Sequence, residues 1–148
     1  MTWPTEQGIF EVGDVTLQSG ALLTDARLSW KTHGTLSPAR DNVIVYPTSY
    51  GAQHMELEWL IGPDGVLDPT RWFIVIPDMF GNGLSSSPAD RTDYPTLVTI
   101  YDNVQVQRRF LRSVFGIETV ACVYGWSMAR CRRITGRRCF RAMWHGSW

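Results

Sequence analysis

Two short segments of the sequence are apolar on both faces, and this constrains the fold more than any other feature. They run from Asn42 to Tyr46 and from Trp72 to Ile76, and turn-forming residues follow each of them. A strand that is apolar on both faces has to be covered on both sides, as in a parallel sheet flanked by helices. The stretch from Ala26 to His33 instead alternates apolar and polar residues, which predicts a half-buried antiparallel strand with His33 facing solvent.

A long helix is predicted from Thr99 to Phe115. Thr99 is its expected N-cap, Asp102 completes a capping-box pair, and Gly116 ends the helix. The segment from Thr119 to Tyr124 follows as a β-branched, apolar strand. The predicted apolar stripe of the helix comprises Ile100, Val104, Leu111, Val114 and Phe115.

The order of these elements predicts an α/β fold within one domain. Ile9 to Val12 and Val15 to Leu17 flank Gly13-Asp14 and predict a β-hairpin, so the fold starts antiparallel. The later strands alternate with loops and a helix, which is typical of a mostly parallel sheet with flanking helices. No apolar run approaches the roughly 20 residues that span a bilayer, and no secretory signal is recognised, so we expect a cytoplasmic protein.

A candidate nucleophile follows the strand from Thr119 to Tyr124. The sequence there is Gly125-Trp126-Ser127-Met128-Ala129, which differs from the G-x-S-x-G motif only in its last residue. That motif places a serine on a tight turn between a strand and a helix, and its small residues let the two elements approach closely. The alternative interpretation of Ser127 is a serine in an ordinary turn at a strand end.

A glycine-containing loop runs from Asp78 to Ser85, with glycines at positions 81 and 83. It follows the strand predicted from Trp72 to Ile76, which is one of the two strands that are apolar on both faces (below, the two-sided strands). Glycine permits the tight turns that such a loop needs. We interpret most of this segment as a solvated turn. A nucleotide-phosphate loop is the rival interpretation, but the segment has neither a Walker lysine nor an immediately following helix.

These motifs, taken in order, resemble the α/β-hydrolase superfamily, and more narrowly its homoserine O-acetyltransferase-like branch. The resemblance covers roughly residues 8–128 and is carried by Gly62-Pro63-Asp64-Gly65, by Leu67-Asp68-Pro69-Thr70-Arg71-Trp72-Phe73 and by Gly125-Trp126-Ser127-Met128. It implies the N-terminal portion of an α/β-hydrolase fold, truncated after the turn that carries the nucleophile.

The resemblance also implies an active site for acyl transfer through an acyl-enzyme at Ser127. The backbone N–H groups of Met128 and Ser49 would stabilise the oxyanion. Trp126 stands where the acetyltransferases of the branch usually carry glycine, so ester hydrolysis is kept as the alternative. The expected partners are a small-molecule acyl donor and acceptor, with acetyl-CoA among the candidate donor substrates, and no cofactor or metal is expected.

A serine nucleophile needs a general base and an acidic residue that orients it. In this superfamily they follow the nucleophile in the order acid, then histidine. No Asp or Glu follows Ser127 in the sequence, and the only later histidine is His145. His33 and His54 precede Ser127, although His54 could line a pocket beside the predicted oxyanion turn. We therefore expect the chain as printed to be inactive and unstable, with an unpaired apolar strand at its edge.

The charge of the chain changes sharply after Met128. Residues 1–128 carry all 14 acidic and 8 basic residues, whereas residues 129–148 carry six arginines and no acid. One interpretation is a basic tail that binds nucleic acid. The hypothesis we prefer is a frameshift, under which no nucleic-acid partner is expected. A G inserted after the Met128 codon permits the sequence Gly-Ala-Met-Gln-Ala-Tyr, which restores G-x-S-x-G and starts an alanine-rich helix.

The frameshift hypothesis divides the chain into two parts. Residues 1–128 form a partial α/β-hydrolase domain, and residues 129–148 are an Arg-rich, out-of-frame tail that is expected to be poorly ordered. We call the product of the gene with that G inserted, read onward in the new frame, the frame-restored protein.

Overall fold

The computed structural model describes residues 2–125, which form a five-stranded mixed sheet with one long helix packed on it. The sheet order is β1-β2-β4-β3-β5, in which β1, β2 and β4 pair antiparallel and β3 pairs parallel with both β4 and β5. The predicted antiparallel start followed by a parallel sheet is confirmed, while the predicted tail, residues 129–148, lies outside the described residues. The elements are β1 (Thr5–Thr16), β2 (Leu22–His33), β3 (Val43–Val45), β4 (Phe73–Pro77), α1 (Ile100–Phe115) and β5 (Cys122–Val123), with short 3-10 turns at His54–Glu56 and Glu58–Leu60.

The sheet buries apolar side chains on both of its faces, as the two-sided strands predicted. Val43 and Val45 of β3 belong to the core that includes Phe110 and Leu111 of α1. Ile44, which lies between them, belongs to a second core on the other face. Successive side chains of a strand point to opposite faces, so β3 and β4 contribute alternate residues to the two cores. The second core comprises Ile44, Tyr46, Leu57, Ile61, Leu67, Ile74 and Ile76.

The predicted hairpin around Gly13-Asp14 is wrong, because β1 continues through these residues. β1 forms its hairpin with β2 instead, through the turn at residues 17–21. Gly13 has a φ of 77° and pairs with Ala26, and the register shifts on either side of it. This is a β-bulge, which a glycine with positive φ accommodates. The Asp14 carboxylate accepts a hydrogen bond from the Asp25 amide at 3.0 Å and holds the bulged strand against β2.

His33 is buried, which contradicts the prediction that it faces solvent. Its Nδ1 accepts a hydrogen bond from Trp3 Nε1 at 3.0 Å, and its Nε2 lies 3.3 Å from Glu58 Oε1. Lys31 Nζ lies 2.5 Å from the same carboxylate oxygen. Alternation along β2 could not reveal this burial, because Trp3 and Glu58 are distant in sequence. Burial lowers the pKa of His33, and the Glu58 carboxylate opposes that shift while the Lys31 ammonium adds to it.

The lowered pKa of His33 predicts a loss of stability at acidic pH. Folding favours the neutral imidazole, so its stabilising contribution is complete above the ordinary pKa of 6.5 and is lost as the pH falls through the folded-state pKa. We expect the urea midpoint of His33→Asn to fall less than that of the parent chain between about pH 7.5 and about pH 5. An equal fall in both proteins would contradict this prediction.

Helix α1 begins and ends where its caps predicted. The Thr99 hydroxyl accepts a hydrogen bond from the Asp102 amide at 3.2 Å, and the Asp102 carboxylate accepts one from the Thr99 amide at 2.8 Å. Gly116 has a φ of 65° and ends the helix in a left-handed conformation. No helix within residues 2–125 combines the length and apolar character that crossing a bilayer requires.

The buried face of α1 differs from the predicted stripe. Val114 is 42% exposed, and Leu111 is the member of that stripe that is fully buried. Half of the buried positions are polar, so counting apolar residues misplaces the face; Asn103, for example, accepts a hydrogen bond from the Phe80 amide at 2.8 Å. The buried residues are Asp102, Asn103, Val106, Gln107, Phe110 and Leu111.

Gly34, which directly follows β2, has no room for a side chain. Its φ is +87°, and a Cβ atom there would overlap the carbonyl oxygens of Pro69 and Trp72. We expect Gly34→Ala to lower the free energy of unfolding by about 3 kcal/mol, since steric overlap adds to the cost of a left-handed backbone. Gly20→Ala is the matched control, because its φ is +85° but no atom lies within 4 Å of the added Cβ. Urea unfolding should give a cost of about 1 kcal/mol there, and equal costs would contradict the steric argument.

Candidate active site

Three strands bring their carboxyl ends to the same edge of the sheet. β3 pairs in parallel with both neighbours, and Ile44 lies opposite Ile74 of β4 and opposite Cys122 of β5. The turn after Tyr46, the loop after Pro77 and the segment after β5 therefore emerge side by side. In open α/β sheets, ligands bind in the crevice outside this edge.

The predicted nucleophile, Ser127, comes shortly after β5 in the sequence, and β5 ends at this edge of the sheet. The Tyr124 amide donates a hydrogen bond to the Val45 carbonyl oxygen at 2.9 Å, so the chain leaves β5 beside β3. Gly125 is the last residue of the described part of the chain. Ser127 and Met128 lie outside it, and their roles as nucleophile and oxyanion donor stay predictions.

Ser49, the other predicted oxyanion donor, lies in the turn that follows β3. Its carbonyl oxygen accepts a hydrogen bond from the Ala52 amide at 3.1 Å. Its own amide has no acceptor among residues 2–125. The neighbouring Thr48 is fully buried, and its hydroxyl accepts a hydrogen bond from the Met79 amide at 2.9 Å. Ser49 is half-buried, and its backbone N–H group thus lies at this edge of the sheet without an acceptor in the described part of the chain.

A buried aspartate connects this turn to the loop after β4. Asp78 is fully buried, and its Oδ1 accepts hydrogen bonds from the His54 amide and from Asn82 Nδ2, both at 2.9 Å. Its Oδ2 lies 2.7 Å from His54 Nδ1, which must carry the proton because a carboxylate only accepts. Three donors on one carboxylate compensate the cost of burying its charge.

The loop from Asp78 to Ser85 is largely buried, so the interpretation of it as a solvated turn is wrong. The side chains of Asp78, Asn82 and Ser85 all make hydrogen bonds within the protein. Asn82 Oδ1 accepts from the amides of Leu84 and Ser85, and the Ser85 hydroxyl donates to the Asp78 carbonyl oxygen at 2.8 Å. The glycines at positions 81 and 83 both have a φ of 90°, which folds the loop back onto the sheet.

His54 and Asp78 are the residues of this site that sequence reasoning did not bring together. His54 was predicted at most to line a pocket, and Asp78 was interpreted as part of a turn. The two are 24 positions apart, and no local pattern links them. The usable signal was topological: each residue follows a predicted two-sided strand, and the carboxyl ends of neighbouring parallel strands meet at one edge.

Two tyrosines pack together where β3 and β5 end. The rings of Tyr46 and Tyr124 meet edge to face, with centroids 5.5 Å apart. The Tyr46 hydroxyl is buried and has no hydrogen-bond partner in the described part of the chain. Burial, with a contribution from Tyr124, raises the pKa of Tyr46 to about 12. Tyr46 therefore stays neutral at physiological pH, and its ring packs against Tyr124 next to the ends of β3 and β5.

At this site the described residues offer hydrogen-bond donors and not a set of metal ligands. Across residues 2–125, no group of three His, Cys, Asp or Glu side chains is arranged to share a metal ion. What the edge does present is the Ser49 amide, held between two anchored segments. A backbone N–H group of this kind can stabilise negative charge that develops on a substrate oxygen.

Comparison with known proteins gives relatives of consistent chemistry. No family model matches the chain. A probable esterase of Corynebacterium glutamicum is 38% identical over 133 residues, covering 82% of this chain and 38% of that protein. A homoserine O-acetyltransferase of Saccharomyces pastorianus is 34% identical over 135 residues, covering 82% of this chain and 27% of the relative.

A solved structure agrees with this relationship. The crystal structure of the acetyl esterase MekB matches with a TM-score of 0.79 and 31% identity, covering 84% of this chain and 38% of that one. The chain therefore spans less than two fifths of the length of these relatives. Sequence and fold agree that the chain is homologous to the N-terminal portion of esterases and homoserine O-acetyltransferases of the α/β-hydrolase superfamily.

Proposed function

We propose that the frame-restored protein hydrolyses small acetyl esters through an acyl-enzyme at Ser127. The observation that carries this proposal is the Ser49 amide, which lacks an acceptor among residues 2–125. It lies at the edge of the sheet where β5, the strand that precedes Ser127 in the sequence, also ends. Esterase relatives and Trp126, in place of the glycine expected of acetyltransferases, favour hydrolysis over transfer.

The reaction divides into two steps. Ser127 Oγ attacks the ester carbonyl carbon while a general base takes its proton, and the alcohol leaves with that proton. Water then attacks the acetyl-enzyme, releases acetate and regenerates the serine. In both steps the amides of Ser49 and Met128 bind the oxyanion, and each such donor contributes about 10²–10³ in rate.

The general base and the acid that orients it are assigned to the frame-restored sequence beyond Ser127. The printed sequence has no Asp or Glu after this serine. Turnover is therefore proposed for the frame-restored protein, whereas the printed chain is proposed to react with activated esters or phosphonates once and slowly. Sequencing the gene past codon 148 tests the assignment, because a long open frame in the shifted register is required.

The acyl-enzyme is tested by trapping. The frame-restored protein is mixed with p-nitrophenyl acetate, quenched in acid and digested, and the acetylated peptide is identified by mass spectrometry. We expect a single acetyl group on the peptide that contains Ser127. Acetyl groups spread over lysines, or none at all while esters are still hydrolysed, would contradict the proposal.

Acyl transfer to a hydroxyl acceptor is the second candidate, supported by the homoserine O-acetyltransferase relatives. The two reactions share the acyl-enzyme and differ in what attacks it. Acetyl-CoA is supplied with and without homoserine, and O-acetylhomoserine and free acetate are both quantified. Formation of O-acetylhomoserine in excess over acetate would favour transfer, and acetate alone from acetyl esters would favour hydrolysis.

A further inference from the structure

We infer that His54, Asp78 and Asn82 are positioning residues that hold the Ser49 amide in place for the oxyanion. The inference rests on the proposed function, in which this amide binds the developing negative charge. It assigns these three side chains to the orientation of the turn, and none of them to contact with substrate.

The turn is anchored before Ser49 and again after it. On the preceding side, the Thr48 amide donates to the Pro77 carbonyl oxygen at 3.4 Å, and the Thr48 hydroxyl accepts from the Met79 amide at 2.9 Å. On the following side, Asn82 Nδ2 donates to the Ala52 carbonyl oxygen at 3.1 Å. Both anchors lie on residues 77–82, so one loop fixes both ends of the turn.

His54 adds the strongest of these connections. Its backbone amide and its ring Nδ1 both donate to the Asp78 carboxylate, at 2.9 and 2.7 Å. Hydrogen bonds to an ionised acceptor are shorter and stronger than those between neutral groups. The Ala52 amide donates to the Ser49 carbonyl oxygen at 3.1 Å, so the segment that His54 fixes is closed directly onto Ser49.

The buried charge of Asp78 makes the arrangement rigid. Moving His54 or Asn82 away would leave this carboxylate buried with fewer donors, and an uncompensated buried charge is strongly unfavourable. The loop is also fixed to the sheet, because the Asp78 amide donates to the Ser29 carbonyl oxygen of β2 at 2.9 Å. Preorganised donors stabilise a transition state best because they need no reorganisation during the reaction.

The test uses the full 148-residue chain and a fluorophosphonate. Ser127 Oγ attacks phosphorus, fluoride leaves, the serine proton passes to solvent, and the phosphoryl oxygen occupies the oxyanion position. When triad partners are removed from a serine hydrolase, the remaining rate enhancement comes from the oxyanion hole and from binding. The printed sequence offers no acid after Ser127, so its labelling rate reports mainly on the oxyanion donors. Intact-mass spectrometry gives the rate and peptide mapping gives the site.

Two substitutions of His54 separate positioning from proton transfer. His54→Ala removes the ring donor to Asp78, and we expect labelling of Ser127 to slow by about 10–100-fold. His54→Asn supplies an amide N–H close to the position of Nδ1, and we expect its rate to stay within about 3-fold of the parent chain. Asn82→Ala is a second variant, which removes the Ala52 anchor and should slow labelling by about 10-fold.

Asp102→Asn is the matched control for loss of stability. Asp102 is a buried aspartate that accepts hydrogen bonds from the Gln18 and Thr99 amides, and it makes no hydrogen bond to residues 46–54. We expect this variant to unfold at lower urea concentration without a change in the labelling rate. Equal slowing in Asp102→Asn and His54→Ala would overturn the inference, because the effect would then follow stability.

The remaining outcomes separate this inference from the proposed function. If His54→Asn is as slow as His54→Ala and the pH dependence of labelling is lost in both, His54 moves a proton and the positioning role is wrong. If Ser127 is labelled in the parent chain and His54→Ala reacts equally fast, the positioning role alone fails. If Ser127→Ala is labelled as fast as the parent chain, the proposed nucleophile itself fails.

Discussion

Replacing Ser127 with alanine is expected to lower kcat/KM of the frame-restored protein toward acetyl esters by about 10⁴–10⁶-fold. Alanine has no oxygen to form the acyl-enzyme, so the reaction would have to proceed by direct attack of water on the bound ester. The loss should appear in kcat, because the serine forms its bond to the substrate only as the reaction proceeds. Steady-state hydrolysis of p-nitrophenyl acetate measures it.

Ser49→Ala is the matched control for this prediction. Ser49 is proposed to act through its backbone amide, which alanine retains, and its hydroxyl makes no hydrogen bond within residues 2–125. We expect Ser49→Ala to keep kcat/KM within about 3-fold of the parent protein. A loss of similar size in both variants would mean that general damage to the site, rather than loss of the nucleophile, explains the effect of Ser127→Ala.

Phe110→Ala should be the most destabilising single truncation in the core beneath α1. Phe110 is fully buried, and its ring centroid lies 5.7 Å from that of Phe10, 5.5 Å from that of Trp30 and 5.6 Å from that of Phe115. Removing a buried aromatic ring costs its transfer free energy and leaves a cavity, in total about 3–5 kcal/mol. Urea unfolding followed by tryptophan fluorescence measures the loss, since Trp30 packs directly on this ring.

Tyr101→Ala provides the control on the same helix. Tyr101 is 45% exposed, so truncating it removes little buried area and should change the free energy of unfolding by less than about 1 kcal/mol. A cost below about 1 kcal/mol for Phe110→Ala itself would show that α1 is not essential to this core.

Local signals predicted the elements of the fold well. The capping box at Thr99 and Asp102 and the left-handed Gly116 marked both ends of α1, because caps are short-range interactions encoded within a few residues. The two segments that are apolar on both faces likewise predicted β3 and β4, because this pattern is also contained within a few residues. The bulge at Gly13 was mistaken for a turn, since glycine with positive φ serves in both and only pairing with β2 distinguishes them.

Interactions between distant residues were the part that the sequence did not reveal. Polar and glycine-rich segments are usually solvated, so Asp78 and Asn82 were interpreted as a surface turn. Their burial depends on His54 and Ser29, which lie on other strands or turns. Ser49 was predicted as an oxyanion donor through the resemblance to a family. The structure adds that its amide has no acceptor among residues 2–125, and its role stays a prediction.

The order of the strands has a consequence for how the molecule assembles. β1 and β2 are neighbours in the chain and can pair as soon as both exist, whereas β3 is separated from β2 in the sheet by β4. β3 must therefore wait for β4, which follows it in the chain, and its other edge waits for β5. Pairings of this kind close long loops and form slowly. The strand that leads into the Ser49 turn is thus among the last to be incorporated, so this turn and the completed sheet should form in the same folding step.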